Sequence, residues 1–152
     1  MILLQPGYEA DYYGRPPVYT IGCAGTIIEA EELPDGRYMI LLDGLVRFRV
    51  TGEDRSRAYR LAEVEPLPEV LDDQEQEILK ERRLRLAGML DAISSGSSPL
   101  VNSLSDAEFV DRLAQVLALS PSERQSLLEL DGLVERADAL VEFLVLRTAV
   151  PL

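Results

Sequence analysis

LPDGRYMILLDGLVRFRV, the stretch from Leu33 to Val50, decides how the first half of this chain folds. Pro34, Asp35 and Gly36 predict a turn, because proline presets φ and glycine takes a positive φ at no steric cost. Asp43-Gly44 suits a two-residue hairpin, so the stretch is expected to hold three consecutive antiparallel strands joined as a meander. Beyond it Val46, Phe48 and Val50 alternate with Arg47 and Arg49, the period of a strand with an apolar inner side and an arginine-bearing outer side.

The rest of the composition narrows what such a sheet can belong to. At 152 residues the chain suits one domain, or a small domain with a helical extension. Fifteen basic residues against twenty-seven acidic ones give a net charge of −12, so a polyphosphate meets a repulsive average field and nucleic acid is not an expected partner. Cys23 is the sole cysteine, which rules out an intramolecular disulfide and suits a reducing compartment. The opening apolar run is too short for a signal peptide, and no segment approaches a membrane span, so a soluble, cytoplasmic protein is predicted.

Catalytic equipment is scarce. With no histidine, one cysteine and one lysine, the chain lacks most general bases, nucleophile activators and metal ligands that work near neutral pH. Lys80, the only lysine, falls on a charged helical face, where lowering its pKa by desolvation is difficult. There is no phosphate-binding loop of the GxxxxGK[ST] type. Gly22 and Gly25 flank Cys23 and Ala24 without completing a dinucleotide fingerprint, and are read as permitting tight strand packing. Neighbouring Glu31 and Glu32 point to opposite faces of a strand, and in the pair Asp72-Asp73 the first is better placed as a helix cap, so neither acidic pair predicts a metal site. The expectation is a protein that is not an enzyme and uses no metal or cofactor.

Before the sheet, Pro6 to Tyr19 forms a proline- and glycine-punctuated loop that carries Tyr8, Tyr12, Tyr13 and Tyr19. These rings either cover the open end of the sheet or present an aromatic surface to extended peptides. After the sheet the period changes to about 3.6. Asp72 with Glu75 begins a long helix whose Leu79, Leu86, Leu90 and Ile93 share a stripe, while Glu77, Lys80, Glu81, Arg82, Arg83 and Arg85 are read as its solvated face, with Glu81 and Arg85 as an i,i+4 pair. Gly88 suggests either close packing or a weak point. SSGSS, Ser94 to Ser98, with Pro99 reads as a linker. Ser105 with Glu108 starts a helix with Phe109, Leu113, Val116 and Leu117 on one side, and Ser120-Pro121 with Glu123 starts another. Asp131-Gly132 precedes a last helix striped by Leu133, Ala137, Leu140, Val141, Leu144 and Val145.

Read together, GCAGTIIEAEE (Gly22 to Glu32), the PDG turn, the DG dipeptide, RFRV, AYRLAEVEPL (Ala58 to Leu67) and FVDRLAQVLALSPSERQSLLELDGLVERADAL (Phe109 to Leu140) form an ordered pattern. It resembles the N-terminal, substrate-binding domain of the Lon protease family, also found as a stand-alone protein, from about Met1 to about Leu146. The resemblance implies an α+β fold: an antiparallel β-subdomain over residues 1–68, a partial PUA-like pseudo-barrel, followed by a helical bundle over residues 69–152 with the Ser/Gly linker at 94–99. Relatives carry further opening strands ahead of the segment matching Met1 to Leu4, so this version looks N-terminally shortened. An uncovered β edge is then expected, through which two copies could form a homodimer.

The resemblance also implies a non-catalytic module that binds unfolded or partner polypeptides, an adaptor or regulator in protein quality control, without the ATPase or the serine-lysine peptidase of the full proteases. Tyr12, Tyr13, Tyr19 and Phe48 are the candidate polypeptide-binding residues. The alternative, a PUA-like nucleic-acid-binding module, would use the arginines Arg47, Arg49, Arg55, Arg57 and Arg60, against the overall charge.

Overall fold

The structure, a computed structural model, describes residues 1–93 and 103–149. The chain divides into two compact units, Met1–Pro68 and Glu69–Leu152. The first is built on a three-stranded antiparallel sheet of β1 (Ile21–Glu32), β2 (Tyr38–Asp54) and β3 (Leu61–Leu67), paired in that order. The turn between β1 and β2 is the expected one. Gly36 has φ +80°, its N–H donates to the Leu33 carbonyl at 2.9 Å, and the Leu33 N–H donates to the Arg37 carbonyl at 2.7 Å. Arg37 folds back on Asp35, donating from Nε at 2.8 Å. That side-chain bond, followed by one from the Arg37 backbone N–H, holds the Asp35 carboxyl below its usual range.

Asp43-Gly44 is not a turn. β2 runs straight through it, with Asp43 opposite Thr26 and Gly44 opposite Gly25, and the register shifts by one residue at Leu45. The expected hairpin becomes a β-bulge because β1 is twelve residues long: ending β2 at Gly44 would strip the backbone of β1 of its partner on one side of that point. A Cβ at Gly25 would collide with the Asp43 backbone oxygen, and one at Gly22 would sit 2.6 Å from the Phe48 ring, so both glycines serve close strand approach. The opening segment runs alongside, with bonds from Gln5 N–H to the Pro17 carbonyl at 2.8 Å and from Tyr19 N–H to the Leu3 carbonyl at 2.9 Å.

The two sides of β2 are less distinct than the alternation predicts. Val46, Phe48 and Val50 are half-buried and Arg49 is exposed, but Arg47 is only 8% exposed. A guanidinium on a long methylene stem can be covered inside a sheet unit where polar partners meet it, and period alone does not reveal that.

The second unit holds α1 (Asp73–Ile93), α2 (Asp106–Val116), α3 (Pro121–Glu129) and α4 (Leu133–Ala149). Each predicted cap forms. Asp72 and Glu75 exchange bonds at 2.8 and 2.9 Å, and Ser105–Glu108 and Ser120–Glu123 close complete capping boxes, with Pro121 in the first turn. The apolar stripes converge on one core that includes Leu79, Leu86, Val110, Leu113, Leu140 and Leu144. Part of the expected solvated face of α1 is instead used between helices. Arg82 donates to Asp138 at 2.5 Å, and Arg83 reaches Asp106 at 2.8 Å and the Leu104 carbonyl at 2.6 Å while lying 5.1 Å from the Phe109 ring centre. Arg136 is paired with Glu69.

Two expectations fail at the margins of this core: Val116, at the end of α2, is 69% exposed, and Val145 is also exposed. Gly88 faces open space, which removes close packing and leaves the second of its two readings. The SSGSS linker lies outside the described residues, as does the side chain of Ile93.

Replacing either of the fully covered residues Leu86 and Leu140 with alanine should cost about 2–5 kcal/mol in chemical denaturation, whereas Val116→Ala should stay within about 0.5 kcal/mol. The capping boxes also predict a pH dependence. Bonds from the Ser105 side chain and backbone depress the Glu108 carboxyl, and bonds from the Ser120 backbone and side chain, with the charge of Arg147, depress Glu123, both from 4.5. A depressed native pKa stabilises the fold above 4.5, and the gain is lost as pH falls through the lower native value. The double variant Glu108→Gln with Glu123→Gln should therefore melt below the parent at neutral pH, and the gap should narrow at strongly acid pH.

Candidate functional site

β3 pairs with β2 only from Arg47 to Asp54, so between Tyr38 and Val46 the sheet is two strands wide. This distal part, Gly25–Glu32 of β1 against Tyr38–Leu45 of β2, forms an arm whose two faces are both open. Cross-strand partners share a face. Met39 lies opposite Glu31 and Leu41 opposite Glu29 on one side; Tyr38 lies opposite Glu32 and Ile40 opposite Ala30 on the other. All four β2 residues are exposed, Met39 to 62%. Two bulges add to the surface. The register skips Ile28 on β1 and Leu45 on β2, and both side chains are exposed, Leu45 to 66%.

Burial sets the two units apart, since single side chains of the helical unit such as Leu84 are as exposed as those of the arm. Among the described residues of the sheet unit, Ile21 is the buried aliphatic side chain, while most buried leucines and valines belong to the helices. The arm is also acidic. From Gly25 to Leu45 it carries Glu29, Glu31, Glu32, Asp35 and Asp43 against Arg37, and Arg37 is ion-paired with Asp35. Along Thr26 to Glu32 the outer edge of β1 pairs with no other strand among the described residues.

The predicted aromatic residues separate into two groups. Tyr12 and Tyr13 are exposed, Tyr13 fully, with ring centres 5.3 Å apart edge to face, and Tyr8 joins them at 6.1 Å from Tyr12. They stand at the end of a short 3-10 turn, Tyr8–Asp11. Arg15 anchors this loop, its N–H donating to Asp11 Oδ2 at 3.1 Å and its Nη2 to the Arg57 carbonyl at 2.7 Å. Tyr19 and Phe48 are half-buried, Tyr19 bonded to Leu3 through its backbone and Phe48 with its ring against Gly22. The structure does not bring these two into ring contact with the exposed tyrosine pair.

Of the five arginines considered for a nucleic-acid surface, Arg47 is buried. Arg60 is engaged by Glu53 at 3.1 Å and by the Pro16 carbonyl at 2.7 Å. Arg49, Arg55 and Arg57 are exposed. Cys23 is half-buried, its Sγ 3.4 Å from the Ala24 carbonyl. Among the described residues no cluster of cysteine, aspartate and glutamate is placed to hold a metal ion, and no helix is long and apolar enough to cross a membrane.

None of the sequence-predicted binding residues falls on the arm, although YMILL, Tyr38 to Leu42, carries a signal for it. A half-buried strand alternates, whereas five consecutive apolar residues place apolar side chains on both faces.

Comparison with known proteins agrees on one family. The model of the ATP-dependent protease La (LON) substrate-binding domain matches residues 1–145. The chain is 33% identical to Lon protease 2 of Desulfotalea psychrophila and 27% identical to Lon protease of Escherichia coli, each over 147 residues. Both alignments cover 93% of this chain and 19% of the relative, so the chain spans about a fifth of the length of those proteins. Among solved structures it is similar to the N-terminal domain of Mycobacterium avium complex Lon protease, with a TM-score of 0.66 and 21% identity over 86% of this chain and 72% of that one. It is also similar to the Lon N-terminal domain protein of Xanthomonas campestris, with a TM-score of 0.52 and 25% identity over 83% and 69%.

Proposed function

The chain belongs to the Lon substrate-binding domain family, and from that premise we propose that it is a non-catalytic module that holds unfolded or partner polypeptides, acting in the cytoplasm as an adaptor or regulator of protein quality control. One observation carries the proposal: the arm exposes large apolar side chains on both faces and at both bulges, where a sheet unit in water ordinarily covers at least one face. An extended chain laid along the arm removes Met39, Leu41 and Leu45 from water, each gaining about 1.5–3 kcal/mol on full burial. Association costs consume much of that, so the affinity for a single segment is weaker than micromolar, which needs about 8 kcal/mol net. Weak, area-driven binding suits a module that accepts many sequences. Tyr12 and Tyr13 add a second exposed contact of rigid rings with hydrogen-bonding tips. Tyr19 and Phe48 support this surface from within the sheet unit, holding the strands and not touching the bound chain.

Nucleic-acid binding is the weaker alternative. It rests on Arg49, Arg55 and Arg57, since Arg47 is buried and Arg60 is engaged, and it works against a net charge of −12.

The test is fluorescence anisotropy with a labelled protein that reduction and alkylation keep unfolded, alongside its native form. The unfolded form should bind and the native form should not. Met39→Asp with Leu41→Asp should weaken binding about tenfold or more with the helical circular dichroism unchanged, and Tyr12→Ala with Tyr13→Ala should weaken it less. No capture of the unfolded protein would refute the function, and capture indifferent to the arm variant would refute the surface.

A further inference from the structure

We propose that the preferred occupant of the arm is an extended segment in which basic residues flank an apolar one, added as a fourth strand along the outer edge of β1. The inference rests on the polypeptide-binding function and names the chemistry of its ligand. The edge from Thr26 to Glu32 meets no strand among the described residues, and its backbone polar groups form a template for a further strand. An incoming strand sets its side chains about 4.5–5.5 Å from those of β1 on the same face. Glu29 and Glu31 share one face, two residues apart, with Leu41 and Met39 behind them. Ala30, between them, shares the other face with Ile40. The complementary segment therefore reads basic, apolar, basic over three residues: two cations beside Glu29 and Glu31, and one apolar side chain beside Ala30 on the side of Ile40.

Charge selects among the possible occupants. The arm carries five carboxylates, and its single guanidinium, that of Arg37, is already held by Asp35. An acidic segment would be repelled. A second copy would bring Glu29, Glu31 and Glu32 against their own counterparts, so like charge opposes pairing of two β1 edges. The β2–β3 ladder contains the favoured combination within the fold, with Arg49 directly opposite Glu65 and Phe48 opposite Pro66.

The experiment uses the full chain and two labelled twelve-residue peptides of equal apolar content, one alternating valine with lysine and the other valine with glutamate. At low ionic strength the lysine peptide should bind about tenfold more tightly, the difference shrinking as salt rises. Glu29→Lys with Glu31→Lys should abolish or invert that preference. Glu77→Lys with Glu142→Lys changes net charge equally on exposed helical positions and should leave the preference in place. The unfolded labelled protein runs in parallel. If it binds while the two peptides bind alike, the charge inference fails and the polypeptide-binding function stands; if nothing binds, both fail. Equal loss in the two charge-reversal variants assigns the preference to the overall field and overturns the site. Dimerisation that competes with the peptide makes a second copy the occupant, and overturns the inference as well.

Discussion

The pairing of a twelve-residue β1 with a seventeen-residue β2, against a β3 of only seven, is the constraint from which the sheet unit follows. Backbone hydrogen bonding keeps both long strands extended, because every residue that left the ladder would expose or orphan polar groups. Yet a ladder of two strands satisfies the backbone without covering the side chains. Beyond Arg47, where β3 stops, the ribbon has two faces and nothing of its own to lay on either. Isolated two-stranded ribbons are marginal in water, so the arm depends on continuity with the wider part of the sheet and on the turn, where Gly36 and the Asp35–Arg37 pair hold its far end.

Burial is divided unequally between the units, and the consequences differ. In the helical unit, local and tertiary signals agree: three capping boxes start three helices, their stripes meet in one core, and Arg82 and Arg83 tie α1 to α4 and α2. Such agreement across levels gives a well-defined fold. The sheet unit leaves its aliphatic residues, Ile21 apart, half-buried or exposed. It carries the part of the molecule with unspent capacity to bury area, which a binding surface requires and a purely structural sheet does not.

What could be read in advance follows the range of the interaction responsible. The PDG turn and the Ser105, Ser120 and Asp72 caps depend on residues within three or four positions, and each forms as the spacing predicts. Asp43-Gly44 has the local chemistry of a hairpin, but Gly44 pairs with Gly25 far upstream on β1, and the length of β1 decided the matter. Period correctly made Leu79 and Leu140 core, yet it could not separate Val116, whose place at the end of α2 leaves it uncovered. Arg47 was misplaced because alternation assigns a side without stating how deep that side is. Of the candidate residues, Tyr12 and Tyr13 lie in a punctuated loop whose sequence left covering the sheet and facing solvent both open, and they face solvent. Tyr19, bonded through its backbone N–H to Leu3, and Phe48, beside Gly22, are half-buried next to residues that are distant in sequence and that no local pattern encodes.

The carboxylates of the arm are where sheet physics and partner choice meet. An exposed, apolar strand edge invites any other edge, including that of the same protein, and charged residues on edge strands are a common protection against it. Glu29, Glu31 and Glu32 fit that role, set among Ile27, Ile28 and Ala30. Protection by a single sign of charge is selective, however: it repels acidic and identical edges and leaves the edge open to cations. On the proposed reading, the charge that opposes pairing of the arm with its own copy is the same charge that selects the extended chain lying along it.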